Sequence, residues 1–341
     1  MDLYNTRCYS SLVNLGNTCF LNSCMQALNH TYELNNMLDN IKYVSNDKSI
    51  IVDEWNELRK LMWKQDAIVS PQKFVTNVHK IARSKNKELF TGWSQNDMPE
   101  FLMFMIECIH EAISRKVTIT IAGIKENPTD EIAEKCYKMI QDEYAKDYSE
   151  ILDLFYGIHI SEITSINGLT KHSIKPESFF IMNLPVPNIQ NVSLYDCFDL
   201  FTSNEVLTGE NAWFNEKTNQ KEDINKRITF WNFPKILIIV LKRFSADGRY
   251  KNHKLITCPL DNLDLSRYVS GYNPISYKYD LYAVCNHMGS VYGGHYTSFV
   301  KNYANEWIHY NDSSVNRLQE SDSIITPMTY CLFYRKKNKP I

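Results

Sequence analysis

The sequence predicts an α+β fold, with helices in the first third of the chain and strands in most of the remainder. Before about residue 113, apolar side chains recur at the three- and four-residue spacing of helices. From about residue 151 onward, runs of β-branched and aromatic residues dominate. The two kinds of segment do not alternate as they would around a parallel sheet. They are therefore expected to form separate domains or two lobes around a cleft.

The first helix is predicted from one apolar face. From Asn17 onward, Leu21, Cys24, Met25 and Leu28 occupy positions i, i+3, i+4 and i+7. Proline suits the first turn of a helix, and acidic residues suit its positive end. Three further helices are predicted: over Asp53–Trp63, from Pro99 through an apolar run to His110, and after Thr129 as N-cap.

The strands are predicted from short β-branched and aromatic runs that are separated by Asn, Gly, Pro and Asp turns. The predicted strands are Phe179–Leu184, Ile228–Phe244, Leu281–Cys285, His295–Val300, Trp307–Tyr310 and Thr329–Tyr334.

Composition excludes several classes of protein. At 341 residues and 44% hydrophobic, the chain can bury a sizeable core, and a net charge of −2 argues against general disorder. There is no basic surplus for nucleic acid, and the longest apolar runs, Phe101–Ile106 and Ile236–Leu241, are far too short to span a membrane. The first ten residues lack the apolar segment of a secretory signal. We expect a soluble intracellular protein, cytoplasmic or nuclear, with no nucleic-acid or membrane partner.

The nine cysteines are scattered, and no Cys-x-x-Cys pair occurs. In a reducing compartment most of them are expected to be small core residues. Neither a disulfide framework nor a zinc site is expected from this spacing. The informative question is which single thiol is reactive.

One cysteine has a setting that suits a nucleophile. Gly16 allows a tight turn, Asn17 or Thr18 can cap the next helix, and Cys19 lies in its first turn. Unpaired N–H groups and the helix dipole there favour a thiolate. The Asn14 amide is placed to donate to an oxyanion. The alternative is a small cysteine packed at a helix start, with Asn14 as a turn residue.

A glycine cluster lies beside a candidate base. Three of only 11 glycines (289, 293 and 294) fall within six residues, which indicates a need for backbone freedom or close ligand approach. His295 follows them and can serve as general base for a thiol. The alternative is a hairpin loop with a solvated histidine. His287 is a weaker candidate, because nothing visible constrains it.

A third group is needed to orient such an imidazole. Asn311 and Asp312 lie 16 and 17 residues after His295, a span that fits two strands and a turn. Either side chain can therefore return beside the imidazole. The alternative is an ordinary Asn-Asp turn.

Together these segments resemble the ubiquitin-specific protease family of papain-like cysteine peptidases. Residues 14–23 are similar to the family's Cys box, and 293–298 with 307–315 to its His box. Residues 95–102 resemble the Gln-x-Asp-x-x-Glu-Phe-Leu signature, and 241–244 match the Leu-Lys-Arg-Phe strand. Residues 155–157 and 180–186 match weaker landmarks. The motifs occur in the family's order over residues 10–336.

The resemblance implies one catalytic domain over residues 10–336, with a papain-like fold around a cleft and no cofactor. A helical thumb lobe is expected at about 10–113, β fingers at about 151–235, and a β-rich palm that carries the His box at about 236–336.

The resemblance also assigns catalytic roles residue by residue. It implies that Cys19 is the nucleophile, His295 the base and Asn14 the oxyanion donor. Asn311 ranks first as the residue that orients the imidazole, with Asp312 as its rival.

Five further residues are implied to bind substrate. Asp97 and Glu100 match positions that face the basic tail of ubiquitin, although an acidic first turn of the following helix would also explain them. Gly293 and Gly294 would line the slot for the modifier's Gly-Gly end, and Tyr296 lies beside them.

The chain departs from the family where many members bind a structural zinc ion. The four ligand positions carry no cysteine here: Ser165, Gly168, Asn215 and Thr218. Without thiolates that zinc site cannot form, so no metal is expected and the fingers are expected to rely on sheet pairing and apolar packing.

The expected function is hydrolysis of the peptide or isopeptide bond after the C-terminal glycine of ubiquitin by a thiol-dependent hydrolase. The expected partners are ubiquitin, ubiquitin-conjugated proteins and targeting or activating proteins. Two alternatives remain: a catalytically inactive ubiquitin-binding scaffold, and a papain-like peptidase for other substrates.

Overall fold

The structure is a computed structural model that describes residues 8–64, 66–290, 293–319 and 323–337. Helices are concentrated before residue 156, as the α+β prediction requires. None of them, within these ranges, is both long and apolar enough to cross a membrane. The α-helices are α1 (Cys19–Asn29), α2 (Tyr32–Asn40), α3 (Ile50–Lys64), α4 (Gln72–Ser84), α5 (Met98–Ile113), α6 (Pro128–Tyr144), α7 (Glu150–Phe155) and α8 (Leu194–Phe201).

The strands pair into one large sheet, one four-stranded sheet and three small two-stranded units. In chain order they are β1 (Ser11–Leu12), β2 (Ile68–Val69), β3 (Gly157–Ser165), β4 (Lys171–Phe179), β5 (Ile181–Pro185), β6 (Val192–Ser193), β7 (Glu205–Leu207), β8 (Trp213–Asn215), β9 (Gln220–Glu222), β10 (Ile224–Asn232), β11 (Ile236–Lys242), β12 (Ile256–Thr257), β13 (Leu263–Asp264), β14 (Lys278–Ser290), β15 (Gly293–Lys301), β16 (Trp307–Asn311), β17 (Ser314–Arg317) and β18 (Thr329–Lys336).

The large sheet has the order β17-β16-β15-β14-β18-β11-β5, and β13 adds to β14. Strand β11 is buried on both faces up to its last residue, which explains why it reads as an unbroken apolar run. Ile236, Ile238 and Val240 join the core shared with the helices α1 and α5. The alternate side chains of β11 pack into a second core on the opposite face, with α8. One side of the sheet is thereby fixed against the helical lobe.

The four-stranded sheet has the order β4-β3-β10-β7. Helix α6 covers part of it, where Cys136 packs with Ile158 and Trp231. Residues 181–185, which the sequence-based division places with the fingers, instead form β5 and pair in parallel with β11 of the large sheet. The chain therefore passes through the large sheet once before it completes the smaller one.

Two sequence predictions are wrong in detail. The predicted strand Ile228–Phe244 is two strands, β10 and β11, because the chain turns at Pro234 between the two sheets. The N-cap of α6 is Asn127 and not Thr129. The Asn127 side chain accepts hydrogen bonds from the backbone N–H groups of Thr129 and Asp130, and Pro128 takes the first helical position.

At the four positions compared with zinc ligands, polar turns hold the chain. Ser165 donates to Asn167 at 2.6 Å in the β3–β4 turn. In the β8–β9 hairpin, Asn215 and Thr218 both donate to one carboxylate oxygen of Glu222, at 2.8 and 2.7 Å. Side-chain hydrogen bonds therefore supplement the sheet pairing that the sequence led us to expect.

A buried histidine couples the stability of the helical lobe to pH. His30 is fully buried; its Nδ1 donates to the Gln26 carbonyl at 2.9 Å, and burial lowers its pKa to about 4. An unfolded histidine has a pKa near 6.5. As the pH falls from about 6.5 to 4, the unfolded state therefore binds a proton that the folded state does not, and the unfolding free energy decreases. This pKa difference of 2.5 corresponds to a loss on the order of 3 kcal/mol.

We expect His30→Gln, which keeps a donor for the Gln26 carbonyl, to flatten the fall in unfolding free energy between pH 6.5 and pH 4.5. Urea unfolding at several pH values measures this, with the exposed His253 replaced by glutamine as control. An unchanged pH slope in His30→Gln would contradict the assignment.

Candidate active site

The first turn of α1 is built against strand β15 of the large sheet. Ser23 of α1 donates to the Thr297 carbonyl of β15 at 3.0 Å. Before the helix, Gly16 (φ +106°) and Asn17 (φ 55°) turn the chain in left-handed conformations. The N-cap position is Thr18, but its hydroxyl donates to Asn14 within the loop instead of capping the helix.

Cys19 is the first residue of α1 and is 3% exposed. Burial raises the pKa of its thiol, and the Asp312 carboxylate adds to the increase. The backbone N–H of Tyr296, and those of Phe20 and Cys19, oppose the increase without cancelling it. The helix start therefore favours the thiolate, as the sequence predicts, but burial outweighs this effect and the net pKa is raised. A base must take the proton from this thiol.

The candidate base is oriented by an amide. His295 Nε2 lies 2.7 Å from Asn311 Oδ1. An amide oxygen only accepts, so Nε2 carries the proton and donates it. In the neutral imidazole this leaves Nδ1 as the nitrogen that can accept a proton. His295 directly precedes Tyr296, whose backbone N–H contacts the Cys19 thiol, so β15 brings the imidazole to the start of α1.

Asp312 faces the loop before α1. Its two carboxylate oxygens accept from Asn14 Nδ2 at 2.9 Å and from Asn22 Nδ2 at 2.8 Å. Its carbonyl accepts from the Leu12 N–H at 3.2 Å. Asp312 thereby fastens the Cys19 loop to the end of β16. Of the two neighbouring residues, Asn311 is the one that contacts His295.

The Asn14 side chain is held from both ends. Its carbonyl oxygen accepts from the backbone N–H groups of Gly16 (2.9 Å) and Thr18 (3.2 Å), while its amide nitrogen donates to Asp312. An amide nitrogen has two hydrogens, so one remains available for a ligand. The orientation of this donor is fixed before any substrate arrives.

A cleft of about 240 Å³ opens between the helical lobe and the large sheet. Both lobes supply its walls: α1 and the start of α5 on one side, β14 and β15 on the other. The wall includes Cys19 and the five residues predicted to bind substrate: Asp97, Glu100, Gly293, Gly294 and Tyr296.

The two acidic residues of the cleft differ in environment. Asp97 accepts from the hydroxyls of Tyr296 (2.7 Å) and Tyr330 (3.2 Å), and burial raises the pKa of its carboxyl. It ties α5 to the sheet. Glu100 is exposed, and within the described ranges no hydrogen bond or ion pair engages it. Partial burial, with the nearby Asp97, raises the pKa of Glu100. Glu100 is the better placed of the two for a basic ligand.

Contacts within the protein itself explain why glycine occupies these positions. A Cβ on Gly294 would lie 2.2 Å from the Met288 carbonyl oxygen and 2.4 Å from His287 Nε2. A Cβ on Gly293 would meet only the Gln95 side chain, at 2.9 Å. Gln95 in turn accepts from the Gly294 N–H at 2.5 Å and so bridges the two walls of the cleft.

We expect Gly294→Ala to lower the unfolding free energy by about 1–3 kcal/mol, because backbone and a packed imidazole must both shift. Gly293→Ala is the matched control: only a flexible glutamine has to move, and the loss should stay below about 1 kcal/mol. Urea unfolding of both variants measures the difference. Equal losses would contradict this account of the glycines.

Several residues in the cleft wall or next to it have contacts that the sequence does not predict. Gln95 and Asn22 lie inside motifs that were noticed, and only the fold shows which partners they reach. His287 was ranked low, yet it is buried in the cleft wall and contacts Lys251. No sequence signal marks Lys251. Among the described residues, no group of three or more His, Cys, Asp or Glu side chains is arranged to hold a metal ion.

The model of the family described as ubiquitin carboxyl-terminal hydrolase matches residues 10–334, nearly the whole chain. The chain belongs to this family. Human ubiquitin carboxyl-terminal hydrolase 2 is 33% identical over 97% of the chain, human ubiquitin carboxyl-terminal hydrolase 21 is 32% identical over 96%, and chicken ubiquitin carboxyl-terminal hydrolase 2 is 33% identical over 95%. These alignments cover 56%, 62% and 92% of the respective relatives, so the chain spans little more than half of the two human hydrolases.

Solved structures with the same fold include the SAGA DUB module of Ubp8, Sgf11, Sus1 and Sgf73, bound to monoubiquitin or to ubiquitin aldehyde. The TM-scores are 0.73 and 0.72, at 21% identity, over 98% of this chain and 70% and 71% of those chains. This likeness confirms the predicted fold class of a ubiquitin carboxyl-terminal hydrolase, and the family model confirms the resemblance seen in the sequence.

Proposed function

We propose that the chain is a thiol-dependent deubiquitinase that hydrolyses the peptide or isopeptide bond after the C-terminal glycine of ubiquitin. The observation that carries the proposal is the His295–Asn311 hydrogen bond on a strand whose next backbone N–H contacts the Cys19 thiol. A cysteine, an oriented imidazole and a fixed amide donor are the groups that acyl transfer through a thioester requires.

The proposed reaction begins with proton transfer from the Cys19 thiol to His295 Nδ1. The thiolate attacks the carbonyl carbon of the terminal glycine, and the second N–H of Asn14 Nδ2 stabilises the oxyanion. His295 then gives its proton to the departing lysine amine, leaving a thioester on Cys19. Water loses a proton to neutral His295, attacks the thioester and releases the ubiquitin carboxylate and the thiol. Cys19, His295 and Asn14 suffice for these steps without a cofactor.

Substrate binding is proposed to use both walls of the cleft. Glu100 would pair with a basic side chain of the ubiquitin tail, while Asp97 would act by holding Tyr296 and Tyr330 in the wall. Gly293 and Gly294 would border the glycine end, with Tyr296 behind them. Asn311 would orient His295, and Asp312 would keep the Asn14 amide in place.

We interpret residues 10–336 as a single catalytic domain, with a thumb at about 10–113, fingers at about 151–235 and a palm at about 236–336. Strand β5 is an exception that belongs by pairing to the palm sheet. We further propose that the chain acts inside the cell, in the cytoplasm or nucleus, where its nine free thiols would stay reduced. The SAGA module that shares the fold contains partner subunits, which supports targeting or activating partners for this chain too.

Incubation of the chain with a lysine-linked ubiquitin dimer tests the proposed function. The expected product is free ubiquitin, released without added metal or cofactor. Binding of the dimer without cleavage would support an inactive scaffold, and neither binding nor cleavage would support a peptidase for other substrates. The intact set of Cys19, His295, Asn311 and Asn14 favours the enzyme over the scaffold.

A further inference from the structure

A buried histidine and a buried lysine form a pair in the cleft wall outside the groups of the proposed mechanism. His287, on β14, is 4% exposed, and Lys251 is 8% exposed. The Lys251 ammonium lies 3.0 Å from His287 Nδ1 and donates to the His287 carbonyl at 2.7 Å. The pair therefore joins the loop after β11 to the strand that borders the cleft.

The chemistry of the pair selects one tautomer of His287. An ammonium group can donate and cannot accept, so its contact with Nδ1 requires a lone pair on that nitrogen. The neutral imidazole must then carry its proton on Nε2. Burial and the Lys251 charge lower the pKa of His287 to about 4, and burial lowers the pKa of Lys251 to about 8. At neutral pH the imidazole is thus neutral and the amine charged.

Nε2 is the ring atom of His287 nearest to Gly294, at the border of the cleft. The His287 ring packs against the rings of Tyr296, Phe244 and Tyr330, with centroid distances of 4.6, 5.6 and 5.8 Å. Within the described ranges no protein group accepts a hydrogen bond from Nε2. This packing fixes the imidazole ring, so the Nε2–H of His287 is a preoriented donor beside Gly294.

We propose that His287 is a positioning residue that donates its Nε2–H to a main-chain carbonyl of the glycine stretch bound in the cleft, and that Lys251 sets the tautomer that makes this possible. The inference rests on the proposed function, because it takes ubiquitin's glycine end as the occupant. The Nε2–H donor beside Gly293 and Gly294 suits a peptide carbonyl. An extended glycine segment has no side-chain acceptors, so its main-chain carbonyls are the acceptors that it presents to the cleft.

Two measurements test the proposal on the whole chain. The ¹⁵N NMR spectrum of histidine-labelled protein should show His287 as the Nε2–H tautomer near pH 7, assigned by its loss in His287→Gln. Hydrolysis of a fluorogenic ubiquitin C-terminal amide should show a KM about 3- to 10-fold higher in His287→Leu, with a smaller change in kcat. His287→Gln, which keeps a side-chain N–H, should recover most of that loss.

Lys251→Met should give a mixture of tautomers and an intermediate KM. Lys254→Met is the matched control, because Lys254 Nζ bonds Asn188 and the Ile189 carbonyl and does not contact His287. A wild-type Nδ1–H tautomer, or a wild-type KM in a folded His287→Leu, would overturn the proposal. If the wild-type chain does not cleave the ubiquitin amide, the proposed function fails and this inference with it; cleavage with an unchanged KM in His287→Leu overturns this inference alone.

Discussion

Replacing Cys19 by alanine is expected to abolish cleavage of ubiquitin–lysine conjugates, with a loss of at least about 10,000-fold in kcat. Alanine cannot form the thioester, and the described structure offers no second thiol in the cleft wall. The side chain is small and sits at the edge of the core, so ubiquitin binding should stay within a few-fold of wild type. Single-turnover cleavage and equilibrium binding together measure this.

Cys24→Ala is the matched control. Cys24 lies on the same helix and is fully buried, but it faces the core shared with Cys285 and Cys331. This variant should lose some stability, as large-to-small core substitutions do, and retain turnover. Persistent cleavage by Cys19→Ala would exclude Cys19 as the nucleophile, and loss of cleavage in a folded Cys24→Ala would show that the effect is not specific to Cys19.

The second large effect is expected at Asn311. Removing its side chain leaves the His295 imidazole without the acceptor that holds the Nε2–H tautomer. By comparison with other triads, Asn311→Ala should lower kcat by about 100- to 10,000-fold. Asn311→Asp keeps an acceptor oxygen and should recover part of the activity. Steady-state hydrolysis of a ubiquitin C-terminal amide, with and without each change, measures both.

The variant Asp312→Asn distinguishes the role of Asp312 from that of Asn311. It leaves His295 paired with Asn311 and weakens the bonds to Asn14 and Asn22, so the main effects should be a lower unfolding temperature and a smaller loss of kcat. A larger loss of kcat in Asp312→Asn than in Asn311→Ala would reverse the roles given to these residues.

The sequence predicts that Asn311 and Asp312 lie near His295, but it does not show which of the two contacts the imidazole. The choice depends on which side chain turns toward β15 at the end of β16, and Asp312 adopts a left-handed backbone (φ 49°) that directs its carboxylate to the Cys19 loop. Such a turn is compatible with either residue order. Only the assembled strands and the loop before α1 decide it.

Other features of the cleft depend on contacts between distant segments. The resemblance places Gly294 in the wall of the substrate slot, and the structure adds that a Cβ there would first meet Met288 and His287 of the protein itself. The resemblance implies that Asp97 faces the substrate, but only the structure shows that two tyrosines, from β15 and β18, donate to its carboxylate. No local sequence pattern predicts these contacts.

The fold was predicted best where periodicity is strong. The run 236–241 is apolar on both faces because β11 lies in the middle of a sheet covered on both sides, and α1 and α5 appear within a few residues of their predicted starts. The predicted strand runs through the break between β10 and β11, although Asn232, Pro234 and Lys235 interrupt the apolar run there. Helix α8, which no prediction included, has only eight residues.

Covalent mapping of the reactive thiol shows whether Cys19 is the nucleophile that attacks the C-terminus of ubiquitin. The whole chain is incubated with ubiquitin that carries a C-terminal electrophile, and the adduct is located by peptide mass spectrometry. One adduct per chain is expected, on Cys19, with no labelling of the other eight cysteines or of Cys19→Ala. An adduct on another cysteine, or no adduct at all, would contradict this assignment of Cys19.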